Sequence, residues 1–205
     1  MDGREAQPSP EAGMPTRTLE LEALKAMAHP LRVKIFDILS QYGPQTSSSL
    51  AQQLGESSGA TSYHLRQLAR HGLIREVEGR GTARERWWER PPGGINMMPP
   101  EVMETPAGRQ AARMVLHEYL LRRNQQLTRF FVHDFDDEPE DWQEVSLFST
   151  TNLWLSPEQL HELEERWNQL SEEYVVKYRN QRGEGVRPVT VHLNAFPLPE
   201  QPEDA

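Results

Sequence analysis

Cysteine is absent from the 205 residues. Its absence excludes disulfide staples, thiolate metal sites and a cysteine nucleophile. Long apolar runs are missing as well: no stretch of Ala, Val, Ile, Leu, Met, Phe, Trp or Tyr exceeds three residues. A membrane span or a signal-peptide core needs far more, so a soluble, cytoplasmic protein with no membrane partner is expected. Positive charge is scarce, with 22 Lys and Arg against 31 Asp and Glu and a net charge of −9. That balance excludes a polycation that coats nucleic acid along its whole length. The apolar share is only 36%, so part of the chain is polar tail or loop. GxSxG, HExxH, P-loop and dinucleotide fingerprints are also missing, and no enzyme, catalytic residue or cofactor is expected.

What is present is unevenly spread. Residues 19–92 carry ten basic and eight acidic side chains, whereas 93–205 carry ten and twenty. Between 57 and 90 all seven basic residues are Arg, against four Glu. Arg suits planar, bidentate contact with phosphate or guanine. A mildly basic segment on an acidic chain suggests one localised nucleic-acid face.

Composition and period divide the chain. Residues 1–17, rich in Pro, Gly and Glu, read as a disordered arm, and 18–92 as a folded domain. Leu21, Leu24 and Met27 begin a helix that His29-Pro30 interrupts. Pro30 then opens a second helix with Leu31, Ile35, Ile38 and Leu39 on its apolar face, closed by Gly43-Pro44. Thr46 caps a third, carrying Leu50 and Leu54 and ended by Gly55. Ser57 or Ser58 caps a fourth that runs to His71-Gly72. Beyond Gly72 the period becomes alternating: Leu73 to Glu78 reads as a strand, Gly79 to Thr82 as a flexible tip, and Ala83 to Trp88 as the return strand.

Pro91-Pro92-Gly93-Gly94 and Pro99-Pro100 mark 93–104 as a linker. A second region, 105–197, opens with Thr105-Pro106 and a long helix. Val115, Leu116, Tyr119, Leu120, Leu127, Phe130 and Phe131 form one broad apolar face on it. That face is wider than a small monomer usually exposes, which predicts a two-fold homodimer built on 106–131 with the 19–27 helix assisting. His133 to Asp141 reads as an acidic loop and Val145 to Phe148 as a strand. Ser156-Pro157-Glu158-Gln159 is a capping box, followed by a helix bearing Leu160, Leu163, Trp167, Leu170, Tyr174 and Tyr178. Val189, Val191, Leu193 and Ala195 alternate as a last strand, and 198–205 is a disordered tail. The fold class is mainly α with a small β component (α+β). It comprises a winged helix-turn-helix domain, a C-terminal helical dimerisation region and an added strand–helix–strand unit.

Three short helices, a fourth led by small polar residues and an Arg-bearing hairpin make a winged helix-turn-helix. The fourth helix has two faces at 100° per residue. Thr61, His64, Leu65 and Leu68 cluster on one side. Gly59, Tyr63, Arg66 and Arg70 cluster on the other, with Ser62 beside them. One side can pack while the other enters the major groove, and the hairpin lies along the backbone. The predicted DNA contacts are Ser58, Gly59, Ser62, Tyr63, Arg66, Arg70, Arg80, Arg84 and Arg86.

The stretch from Leu24 to Arg90 resembles the DNA-binding domain of the ArsR-type bacterial repressors. Four words carry the likeness in order: LKAMAHPLR from Leu24, LAQQLG from Leu50, ATSYHLRQL from Ala60 and HGLI from His71, with the return strand RERWW from Arg84. The resemblance implies a homodimer on double-stranded operator DNA. The segment 143–197 lies outside that pattern. Many members sense metal through thiolates, which this chain lacks. His117 and His133, sixteen residues apart, fall about 160° apart on one helix and cannot share an ion there. His133, Asp134 and Asp136 read as a solvated acidic loop, and no metal site is expected. Trp87, Trp88, Trp154 and Trp167 allow for an organic effector of unknown identity. The rival class is a winged-helix protein-interaction module whose acidic C-terminal half docks a basic partner.

Overall fold

The computed structural model describes residues 16–82, 85–179 and 181–199. Most of the predicted 1–17 arm, residues 200–205 of the tail, and Arg84 lie outside the described residues. The chain divides into two compact units, one ending at Leu147 and the other beginning at Phe148.

The first unit is built from short elements with visible start and stop signals. The strand β1 (Arg17–Thr18) precedes α1 (Leu21–Met27), and His29 caps α2 (Pro30–Tyr42), its Nδ1 accepting the Leu31 N–H at 3.2 Å. After Gly43, β2 (Gln45–Thr46) leads into α3 (Ser47–Leu54) through a reciprocal capping box between Thr46 and Ser49. Gly55 closes α3 in the left-handed region, and Ser57 caps α4 (Ser58–Arg70) by accepting the Ala60 N–H at 3.1 Å. At the other end of α4, Arg17 donates to the carbonyls of Gly72 and His71 at 2.5 and 2.6 Å, satisfying acceptors beyond the last turn.

The strands β3 (Arg75–Thr82) and β4 (Glu85–Glu89) form the antiparallel wing, and β2 pairs with the other edge of β4. Gly79 to Thr82, expected as a flexible tip, belong instead to β3, with Gly81 opposite Arg86 and Thr82 opposite Glu85. The register shift between Glu76 and Gly81 sets Val77–Arg80 against the single residue Trp87, a bulge that folds Arg80 back over the sheet. Gly81 sits at φ 100°, and a Cβ there would collide with the Glu85 carbonyl. Only glycine fits the backbone at that point.

The segment 93–104 is not a linker. It carries β5 (Ile95–Asn96), parallel to β1, and α5 (Pro100–Met103), whose Val102 is buried. Gly and Pro there shape tight turns rather than a free connection. Thr105 then caps α6 (Pro106–Thr128). Gly108 lets the α5 turn lie directly on α6, because a Cβ would strike the Val102 carbonyl. One core joins Leu24 and Met27 of α1, Phe36 of α2, Leu50 of α3, Leu65 and Leu68 of α4, Trp88 of β4 and Val115 of α6.

The predicted acidic loop 133–141 is largely helical: α6 continues into a π-helical turn (Arg129–Asp134), a 3₁₀ turn (Phe135–Asp137) and α7 (Glu140–Val145). Glu140 and Asp141 stand in the first turn of α7, where carboxylates favour the helix dipole.

Among its described residues the second unit has one helix, α8 (Pro157–Tyr178), opened by the expected capping box of Ser156 and Gln159. The predicted strands 145–148 and 189–195 are not formed. Val145 closes α7, and 146–148 and 189–195 have no strand partner among the described residues. Alternation makes a chain suitable for a sheet edge without supplying the neighbouring strand. The expected strand–helix–strand unit is therefore a helix between irregular segments.

Candidate nucleic-acid interface

The inner face of α4 is fixed by burial and by one hydrogen bond. Thr61, Leu65 and Leu68 are fully buried, and the Thr61 hydroxyl donates to the Ser57 carbonyl at 3.0 Å. This satisfies a polar group that would otherwise be costly inside the core. The outer face is thereby committed to solvent. Ser58, Gly59, Tyr63, Arg66 and Arg70 are exposed, with Tyr63 at 49%. Arg66 and Arg70 have no hydrogen-bond or ion-pair partner among the described residues. Ser62 is only half-exposed, because its hydroxyl meets Ser47 Oγ at 2.7 Å.

Ser47 was not singled out in the sequence. It occupies the first position of α3 and also donates to the Ser58 carbonyl at 3.0 Å. The start of α3 is thus tied to the start of α4, the end of the helix-turn-helix that would meet DNA. A signal was available in the run Ser47-Ser48-Ser49 behind the Thr46 cap, but its partner is 15 residues away.

At Gly59 an added Cβ would meet only Ser57 Oγ, at 4.0 Å. Packing does not require the glycine, and glycine inside a helix is unfavourable relative to alanine. Gly59→Ala should therefore raise stability by about 0.4–1 kcal/mol. If the α4 backbone must approach a phosphate closely, the same change weakens DNA binding. Thermal melts and duplex titrations on one preparation check both halves; unchanged affinity would remove Gly59 from the interface.

The wing is more constrained than the sequence suggests. The Arg80 guanidinium stacks on Trp87, with Cζ 3.7 Å from the ring centroid. Arg86 pairs with Glu76 at 3.3 Å and Arg75 with Glu89 at 2.7 Å. Arg86 is thus paired across the hairpin, whereas Arg80, among the described residues, is held by an aromatic ring and not by a carboxylate. Trp88 is buried in the core while its neighbour Trp87 supports Arg80, as alternate strand faces require.

Behind α4, the rings of His29 and His64 lie 4.5 Å apart, and His64 Nδ1 is buried without a partner. Desolvation, with Arg32 close to both, holds each imidazole below its ordinary pKa. Each is neutral in the folded chain at pH values where the unfolded chain begins to bind a proton. Stability is therefore retained above about pH 6.5 and lost as pH falls below it. His64→Gln should flatten that decline. Urea midpoints between pH 7.5 and 5.5 check it, and equal slopes for both proteins would contradict the assignment.

The predicted dimer face divides in two. Val115 is fully buried within its own unit, and Tyr119 packs on the same core, where burial and nearby Asp37 push its hydroxyl pKa up. Those two are not available to a second copy. Leu24 and Met27 of α1 are likewise fully buried, so the 19–27 helix spends its apolar face inside the chain. Leu116, Leu120 and Leu127 remain as an exposed stripe at 40, 41 and 39%. Phe130 and Phe131 are half-buried, edge to face at 4.9 Å and both against Phe135. Among the described residues, no three His, Asp or Glu side chains converge as a metal site. No helix among them is long and apolar enough to cross a membrane.

Residues 27–77 match a family model described as a helix-turn-helix domain. Among solved structures, the chain is similar to the adhesin competence repressor of Streptococcus pyogenes. The identity is 16% over 70% of this chain and 79% of that one, with a TM-score of 0.29. No curated protein matches. Residues 27–77 are thus a helix-turn-helix domain, and that match supports a DNA-binding transcriptional regulator.

Proposed function

We propose that the chain is a cytoplasmic, homodimeric repressor that reads a pseudo-palindromic operator through α4 and grips the flanking backbone with the wing. The observation that carries this reading is the division of α4. Its inner face is sealed by Thr61, Leu65 and Leu68, and its outer face offers Tyr63, edge to face with the His64 ring, beside Arg66 and Arg70, which have no ion-pair partner among the described residues. A helix that only stabilised a fold would gain from pairing those guanidiniums with carboxylates, which the acidic chain has in excess. Ser58, Gly59 and Ser62 lie at the amino end of the helix, the part that reaches base edges. Ser62 acts there through its link to Ser47. The exposed stripe of Leu116, Leu120 and Leu127 supports two-fold pairing along α6. Half-sites then lie about one helical turn apart, roughly 34–36 Å.

Selection of bound duplexes from random or genomic DNA tests this directly. The expected result is an inverted repeat whose affinity falls steeply with salt, because each phosphate contact releases counterions. Equal affinity for a selected and a scrambled duplex would remove sequence reading. Affinity independent of salt would remove the phosphate contacts of Arg70 and Arg80. A complex of one chain per duplex, with Leu120→Glu binding as the parent does, would remove the α6 dimer.

A further inference from the structure

The unit beginning at Phe148 holds an amphipathic helix without a core to rest on. None of its described residues is buried, and Trp154 is fully exposed. Along α8 the positions 160, 163, 167, 170, 174 and 177 follow the 3-4-3-4-3 spacing of a heptad seam. They are Leu160, Leu163, Trp167, Leu170, Tyr174 and Lys177. Leu163, Leu170 and Tyr174 are exposed at 37, 49 and 61%, while Leu160 and Trp167 are half-buried. A helix draws most of its stability from packing its apolar face, and most of this stripe is exposed in the single chain. The narrow a/d stripe suits one partner helix rather than a broad core.

The charges select the partner. Glu158, Glu162, Glu165 and Glu172 lie at the outer c and f positions, and Glu164, at a flanking e position, would face the partner's Ser171 in an antiparallel pair, so the acidity of α8 does not forbid pairing with a copy of itself. The flanking g positions are Gln159, Arg166 and Glu173. In a parallel pair, Lys177 would face the partner's Lys177 within the seam, and Trp167 would face the partner's Trp167. In an antiparallel pair centred between Asn168 and Gln169, Trp167 instead faces the partner's Leu170, and Leu163 the partner's Tyr174. Facing g positions then place Arg166 beside the partner's Glu173, and symmetry repeats the contact. In the single chain Arg166 pairs with Glu162, four residues earlier, as an exposed pair at 2.5 Å. Such pairs contribute little, so the guanidinium is free to be shared.

We propose that α8 pairs antiparallel with α8 of a second copy, centred on Trp167 and Leu170, as a contact between copies separate from the α6 stripe. The lack of native cysteine makes the geometry testable in the full chain. Leu163→Cys and Tyr174→Cys are prepared singly and mixed under mild oxidation. The antiparallel seam predicts a cross-linked dimer in the mixture and in the double variant, and little in either single variant alone. Positions 163 and 174 are about 16 Å apart along one helix, so they cannot bridge within a chain. Cross-linking of each single variant to itself would show a parallel seam, and absence of cross-linking everywhere would show that α8 does not pair. Either result overturns the proposal. Arg166→Glu should weaken the association roughly three- to tenfold, and adding Glu173→Arg should restore it; no recovery would overturn the charge register. Leu120→Glu separates this contact from the α6 dimer. The cross-link is expected to survive it, and its loss would show that α8 makes no contact of its own.

Discussion

Asp37→Ala is expected to lower the stability of the first unit by about 2–4 kcal/mol, more than any surface substitution in the chain. Arg122 Nε on α6 donates to Asp37 Oδ2 on α2 at 2.9 Å, and the two side chains are only 18 and 14% exposed. One helical turn further on, Gln41 and Gln126 exchange hydrogen bonds at 3.3 and 3.0 Å. The same i,i+4 step on both helices makes a short polar ladder that fixes the register of α6 against the helix-turn-helix. Removing the carboxylate leaves a guanidinium that is mostly out of water and unpaired. That is costlier than never having buried the pair. Asp37→Leu with Arg122→Leu should therefore recover much of the loss, since apolar groups of similar volume replace an ion pair nearly neutrally or better. Urea unfolding at one fixed protein concentration measures both variants. A double variant no more stable than Asp37→Ala would mean that the pair contributes no such coupling.

The ladder also shows where sequence reading stops. Asp37 and Arg122 are 85 residues apart, and nothing local to either one identifies the other. The caps at Thr46 and Ser156 were legible, and that of α4 to within Ser57 or Ser58, because each is a local event: a short side chain meeting an N–H two or three residues on. The two faces of α4 were legible for the same reason, since helical period alone sorts Leu65 and Leu68 from Arg66 and Arg70. Failure came where a partner is distant. Residues 93–104 carry linker-like Pro and Gly, but β5 finds β1 across 78 residues, Arg17 opposite Ile95. The long helix showed one wide apolar band, and only the packing of α1 and α2 against it splits Val115 and Tyr119 from Leu116, Leu120 and Leu127. Residues 189–195 have the alternation of a strand and, among the described residues, no neighbouring strand to bond. In each case the local pattern states what a segment can bury or bond, and the tertiary fold decides whether the partner exists.

Arg66→Ala is expected to flatten the preference among operator variants, whereas Arg80→Ala should weaken every duplex alike. Arg66 stands on the rigid outer face of α4, two turns from its start, with no carboxylate to hold it. A guanidinium fixed by a packed helix can make a bidentate pair with guanine, worth about 1–3 kcal/mol of discrimination. Its loss therefore falls mainly on the preferred sequence. Arg80 is placed differently, on a bulged strand and stacked on Trp87 at 3.7 Å. The ring holds the charge over the wing surface, where it can meet phosphate. Arg80→Ala should lower the salt slope by about one contact and leave the ratio of specific to scrambled binding unchanged. Trp87→Ala should reproduce part of that loss while Arg80 is intact, because the platform rather than the charge is removed. Arg86→Ala should do less, its charge being already offset by Glu76. Titrating the four variants against a selected operator and a scrambled duplex, each at two salt concentrations, separates these roles. Uniform weakening by Arg66→Ala, together with a changed specificity ratio for Arg80→Ala, would reverse the assignment and make the wing the reader of sequence.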